Sequence, residues 1–96
     1  MEEAPVTEWF CYMARCGDGT LYVGSTANPE ARVKRHNSGA GSKHTELRRP
    51  VRLVWKEWFA SRKEASARER ELKGWRREKK LALIEEYAAE NPAENE

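Results

Sequence analysis

Trp9-Phe10-Cys11-Tyr12-Met13-Ala14-Arg15-Cys16-Gly17-Asp18-Gly19-Thr20-Leu21-Tyr22-Val23-Gly24-Ser25 is the stretch whose reading decides the fold. Two runs rich in aromatic and β-branched residues flank Gly17-Asp18-Gly19, the pattern of two strands joined by a tight turn. Loop length then decides whether the two tyrosines meet. A two-residue loop at Asp18-Gly19 sets Tyr12 opposite Ser25 and Tyr22 opposite Arg15, which sends the phenols to opposite faces. A three-residue loop with Gly19 in the left-handed conformation pairs Cys16 with Thr20, Ala14 with Tyr22 and Tyr12 with Gly24, and both phenols share one face. In that register Gly24 leaves space across from Tyr12 where a substrate backbone can approach. Tyrosines on a sheet face are also ordinary amphipathic residues, so the pair needs partners before it carries chemistry.

Working outward, 96 residues make one domain with a modest core, too small for a deep enclosed cavity, so a site here is a surface cleft. Charged residues make up 35% of the chain and no apolar run reaches membrane-spanning length. With no basic start followed by an apolar stretch at the N-terminus, the reading is a cytoplasmic protein without a membrane partner. Cys11 and Cys16 are five positions apart, so their side chains face opposite ways and cannot bridge locally. The two cysteines and two histidines lack zinc-ligand spacing.

The formal charge of +2 hides an asymmetry. All 18 Lys and Arg fall within residues 9–89, which hold 10 of the 16 acidic residues, leaving +8 on that span. Such a balance suits a polyanion. Residues 1–8, with Pro5 and three glutamates, read as a flexible arm, and residues 90–96 as an acidic disordered tail. The folded domain is therefore 9–89.

Asn28-Pro29-Glu30 is a helix start, with an N-cap, a proline at the first helical position and an acid at the positive end, and it predicts a helix over 29–37. Arg32 and His36 stand four apart on one face of it, with Ala31 and Val33 available to face the sheet. Residues 38–50 read as a glycine-rich basic loop without a Walker pattern. Residues 51–59 alternate as a third strand whose tryptophans are expected in the core. Ser61-Arg62-Lys63-Glu64 is a capping box opening a helix that runs to about Lys73, where Gly74 can end it. Residues 75–88 form a further amphipathic helix with Leu81, Ile84 and Tyr87 or Ala88 inward.

Two tyrosines, an arginine, a histidine and one carboxylate are the types that phosphodiester hydrolysis needs. Tyrosine or histidine can orient and deprotonate water, arginine can stabilise charge at phosphorus, and a carboxylate can hold a Mg²⁺ that keeps most of its waters.

The order and spacing of these residues resemble the GIY-YIG nuclease superfamily, over residues 9 to about 84 and most closely its small stand-alone bacterial branch. Phe10-Cys11-Tyr12 stands where the family has its first tripeptide and Tyr22-Val23-Gly24 where it has its second. Arg32-x-x-x-His36 is similar to the family's helix, and Ala65-Ser66-Ala67-Arg68-Glu69-x-x-x-Lys73 to its metal-binding segment, which favours Glu69 over Glu71. The departure is at the first tripeptide, where Phe10 and Cys11 replace glycine and isoleucine and the tyrosine is kept.

The resemblance implies a small α+β fold, with a three-stranded antiparallel sheet flanked by about three helices. The implied activity is Mg²⁺- or Mn²⁺-dependent cleavage of DNA, with RNA as a further candidate, in repair or recombination. Tyr22 is then the favoured proton acceptor, Tyr12 orients water or phosphate, His36 assists, Arg32 stabilises the phosphate and Glu69 holds the metal. Lys34, Arg35, Lys43, His44, Arg48, Arg49, Lys73 and Arg76 are the expected phosphate contacts. A chain of this size has no room for a specificity domain, so the expectation is a structure-preferring monomer or weak dimer, with specificity supplied by a protein partner. The rival reading is a non-cleaving nucleic-acid-binding module on the same basic surface. A scaffold domain with a residual motif ranks below both.

Overall fold

The structure, a computed structural model, describes residues 8–39 and 48–92. The first hairpin pairs β1 (Trp9–Arg15) with β2 (Leu21–Thr26). Its loop has three residues. The Cys16 amide donates to the Thr20 carbonyl at 2.9 Å, the Gly19 amide donates back to the Cys16 carbonyl at 2.9 Å, and Gly19 has φ of 88°. That is a left-handed conformation open to glycine at little cost. Asp18 Oδ1 accepts from both the amide and the hydroxyl of Thr20 and rigidifies the tip. The register that follows pairs Tyr12 with Gly24 and Ala14 with Tyr22, so the phenols share a face.

β3 (Arg52–Phe59) adds to the other side of β1, giving an all-antiparallel sheet in the order β2-β1-β3. Its register shifts between Met13 and Ala14, which pair with Trp55 and Leu53. Val54 is the extra residue of this β-bulge, which lets the sequence neighbours Val54 and Trp55 enter the same core cluster where strict alternation would part them. Of the two tryptophans expected in the core, Trp55 is buried but Trp58 is 54% exposed. Trp58, three residues on from Trp55 in the same unbroken register, faces the opposite side of the strand, which is at an edge of the sheet among the described residues.

Helix α1 (Pro29–Asn37) starts as its residues dictate, with Asn28 Oδ1 accepting from the Ala31 amide at 3.1 Å and Pro29 at its head. Val33 packs toward the sheet, whereas Ala31 is exposed, because the buried positions of this helix are Pro29 and His36. The Asn37 side chain both donates to the Val51 carbonyl and accepts from its amide, at 2.8 and 2.6 Å, tying the end of α1 to the start of β3.

Helix α2 (Arg62–Lys73) is capped by Ser61, whose hydroxyl accepts from the Glu64 amide. It ends at Gly74 with φ of −85°, so the left-handed freedom of glycine goes unused there. Helix α3 (Arg77–Glu90) starts two residues later than the periodicity suggests and reaches into the span read as an acidic tail.

The sheet is buried on both faces. Cys11, Met13, Val23, Val54, Trp55, Leu72 and Ile84 form the core beneath α2 and α3, while Tyr12, Ala14, Cys16 and Val51 form a second cluster on the α1 side. The two cysteines are free, buried, and divided between these clusters, as their spacing requires. No helix among the described residues is long and apolar enough to cross a membrane.

Candidate active site

Along β2, alternation sends Tyr22, Gly24 and Thr26 to the α1 face and Val23 and Ser25 to the α2 face. The strand lies at an edge of the sheet, so groups from both faces converge around it.

On the α1 face, Tyr12 is fully buried and its hydroxyl lies 3.1 Å from His36 Nε2, itself buried. The half-buried Tyr22 ring completes the cluster, with its centroid 6.2 Å from that of Tyr12 and 5.1 Å from that of His36, edge-on to the imidazole. Burial pushes the Tyr12 phenol well above its ordinary range, and the neighbouring Tyr22 adds to this, against the opposing charge of Arg32. The His36 pKa is lowered, first by burial and then by the charges of Arg32 and Arg35. A neutral imidazole can accept a hydrogen bond from a protonated phenol, so the two shifts agree with the contact.

The space across from Tyr12 is filled. A Cβ on Gly24 would come within 2.8 Å of the Tyr12 hydroxyl and 2.9 Å of its ring carbons, so the glycine accommodates the tyrosine itself and not an incoming backbone. Tyr12 is thereby withdrawn from solvent and reaches an open site only through His36 and Tyr22. The side chain of Arg32, a half-buried residue, makes no hydrogen bond or ion pair among the described residues, although its charge acts on both Tyr12 and His36.

On the α2 face, Glu69 meets β2. Ser25 Oγ donates to Glu69 Oε1 at 2.7 Å and Lys73 Nζ stands 2.7 Å from Oε2. The ion pair raises the Lys73 pKa, with the Glu69 hydrogen bond as the leading cause and Tyr22 among the further contributors. Glu71 lies elsewhere, paired with Arg68, which also holds Glu57 at 2.9 Å and stands over the rings of Trp55 and Trp75. That network tightens α2 onto β3. Cys11, also on the α2 face, has a thiol pushed up to about 12 by burial first and by the charge of Glu69 next, and stays a protonated core residue.

Ser25 escaped the reading of the sequence. Its signal was the parity of β2, since a residue one step beyond Gly24 must face away from the tyrosines, toward whatever helix covers the other side.

Of the expected phosphate contacts, Lys34, Arg35, Arg49 and Arg76 are exposed, Arg48 is held by Asp18 at 2.9 Å and Lys73 by Glu69. Lys43 and His44 lie outside the described residues. Among the described residues no group of three or more His, Cys, Asp or Glu could hold a metal. The lone Glu69 carboxylate, 22% exposed, fits a hard cation that keeps most of its own waters and does not fit a site built of soft or multiple ligands.

The GIY-YIG catalytic domain model matches residues 8–82. A UPF0213 protein of Staphylococcus haemolyticus is 49% identical over 77 residues, spanning 80% of this chain and 94% of its own, and a UPF0213 protein of Staphylococcus aureus is 48% identical over the same length. Two solution NMR structures share the fold. The UPF0213 protein BH0048 of Bacillus halodurans has a TM-score of 0.53 at 40% identity, covering 81% of this chain and 83% of its own. The protein EF2693 of E. faecalis has 0.57 at 34%, covering 93% of each.

Proposed function

The chain belongs to the GIY-YIG catalytic domain family, and from that premise we propose that it is a metal-dependent endonuclease hydrolysing DNA phosphodiester bonds. The observation that carries this reading is the convergence around β2 of two tyrosines, a neutral histidine, an arginine whose side chain is unpaired among the described residues, and a partly buried carboxylate. A fold this small gains little from burying a tyrosine–histidine pair beside an unpaired guanidinium unless an anion comes to it.

In this proposal Tyr22 accepts the proton of the attacking water, being the phenol that retains solvent contact. An ordinary phenol is a poor base near neutrality, so the proton transfer depends on cationic charge in the site, from the metal that Glu69 would hold or from a basic side chain. Tyr12 and His36 act on Tyr22 by fixing its ring. Arg32 stabilises the charge that builds on the phosphate oxygens. Glu69 would hold a Mg²⁺ or Mn²⁺, which when bound neutralises phosphate charge and polarises the oxygens around it. The exposed basic residues grip the backbone without reading sequence. The substrate is accordingly set by shape, such as flaps, branches, ends or single strands in repair or recombination. The protein acts as a monomer or weak dimer, with a partner supplying further specificity.

The test is incubation of the purified protein with labelled single-stranded, duplex, flap and branched DNA, and with RNA, in Mg²⁺, Mn²⁺ or EDTA, beside Glu69→Gln. Products that need the metal and vanish in the folded variant are expected. Salt-sensitive binding without metal-dependent products would replace the nuclease with a binding module.

A further inference from the structure

Glu69 has two neighbours of different kinds. Ser25 is neutral, belongs to β2 and contacts Oε1 on the part-buried side, whereas Lys73 is charged, 56% exposed and sits at the last turn of α2 on a flexible stem, against Oε2. One partner is built into the sheet and the other hangs in water.

Resting on the metal-dependent reading above, we propose that Lys73 is the exchangeable counter-ion of Glu69, occupying the carboxylate oxygen that a divalent cation takes over when it binds. A partly buried carboxylate without a counter-charge is costly, and the ammonium compensates it in the metal-free protein. The bond to Lys73 is nevertheless exposed at its ammonium end and joins residues four apart on one helix, a kind of ion pair worth little and screened by salt. A doubly charged ion that keeps most of its own waters gains more from the same oxygen and displaces the ammonium without disturbing Ser25. Glu69 therefore keeps its orientation whether or not metal is present.

The displaced ammonium remains on its stem at the last turn of α2, next to Glu69. It then meets phosphate only in the metal-loaded protein. Because the coupling is reciprocal, nucleic acid that holds Lys73 away from Glu69 also favours metal binding. The site loads fully when both ligands are present.

The test reads Mn²⁺ binding alone, without nucleic acid, from the electron paramagnetic resonance signal of the free ion. Parent, Lys73→Met, Lys73→Arg, Glu69→Gln and the Lys73→Met/Glu69→Gln double variant are titrated at low salt, with circular dichroism confirming that each is folded. Lys73→Met is expected to bind Mn²⁺ about threefold or more tightly than the parent, because a competing charge is gone. Lys73→Arg is expected to stay within about twofold of the parent, since it keeps that charge. The gain is expected to disappear in the double variant. Glu69-dependent binding that is no tighter in Lys73→Met overturns the exchange and leaves the metal reading standing. Binding indifferent to Glu69→Gln, or absent from both the parent and Lys73→Met, overturns the two together.

Discussion

On the side of the sheet under α2 and α3, Met13, Val23, Leu72 and Ile84 meet as apolar groups and exclude water by packing alone. On the side under α1, the largest buried groups are Tyr12 and His36, joined through a hydroxyl and a ring nitrogen, with Thr26 buried nearby. Successive β1 residues supply both interiors, Cys11 and Met13 to one and Tyr12 and Ala14 to the other, all four at 0% exposure. The difference teaches that a central strand can stabilise a small domain with every second residue and carry the floor of a site with the residues between. An apolar interior tolerates repacking, whereas a polar one depends on each partner being satisfied.

Breaking the apolar side has the largest effect on stability and a small one on chemistry. Ile84→Ala, on α3 and on the face away from the tyrosines, is expected to cost roughly 2–5 kcal/mol of stability, read from denaturant unfolding, while cleavage per folded molecule stays near the parental rate. Loss of activity in molecules that remain folded would show the two sides to be coupled. Gly24→Ala breaks the other side, since its Cβ would press on a Tyr12 ring that has nowhere to move. Overpacking of about 1–3 kcal/mol is expected, together with a loss of cleavage that the stability loss does not account for.

A smaller and pH-dependent effect sharpens the contrast. The His36 pKa is lowered in the folded protein from its ordinary 6.5. The folded state thus binds fewer protons than the unfolded one, and stability present above pH 6.5 is lost as pH falls through the lowered value. The melting midpoint is expected to drop between pH 6.5 and pH 5. Asp18 and Glu30, whose pKa values are also lowered, titrate below that window. His36→Asn is expected to melt lower at pH 7.5, by about 1–3 kcal/mol of stability, and to lose the dependence between pH 6.5 and 5.

The hairpin was legible down to two registers, because turn residues and strand parity are local, and Gly19 in the left-handed conformation decides between them. The caps of α1 and α2 were legible for the same reason. Position along a strand does not reveal which helix covers which face. Ser25 therefore became a partner of Glu69 only once α2 lay against β2, and the β3 bulge that brings Val54 and Trp55 into one core cluster depends on pairing with β1. The room opposite Tyr12 was legible in the glycine, but the tyrosine ring that fills it was not.

The central claim is that the chemistry belongs to the tyrosine at the edge of the sheet and the support to the one inside it. The most direct test is single-turnover cleavage of the preferred DNA in metal by Tyr22→Phe and Tyr12→Phe, with the melting midpoint of each. The account predicts that Tyr22→Phe melts like the parent and loses cleavage by about 100-fold or more, whereas Tyr12→Phe loses stability because the buried contact between the Tyr12 hydroxyl and His36 Nε2 is gone. Cleavage by Tyr22→Phe at the parental rate would contradict it.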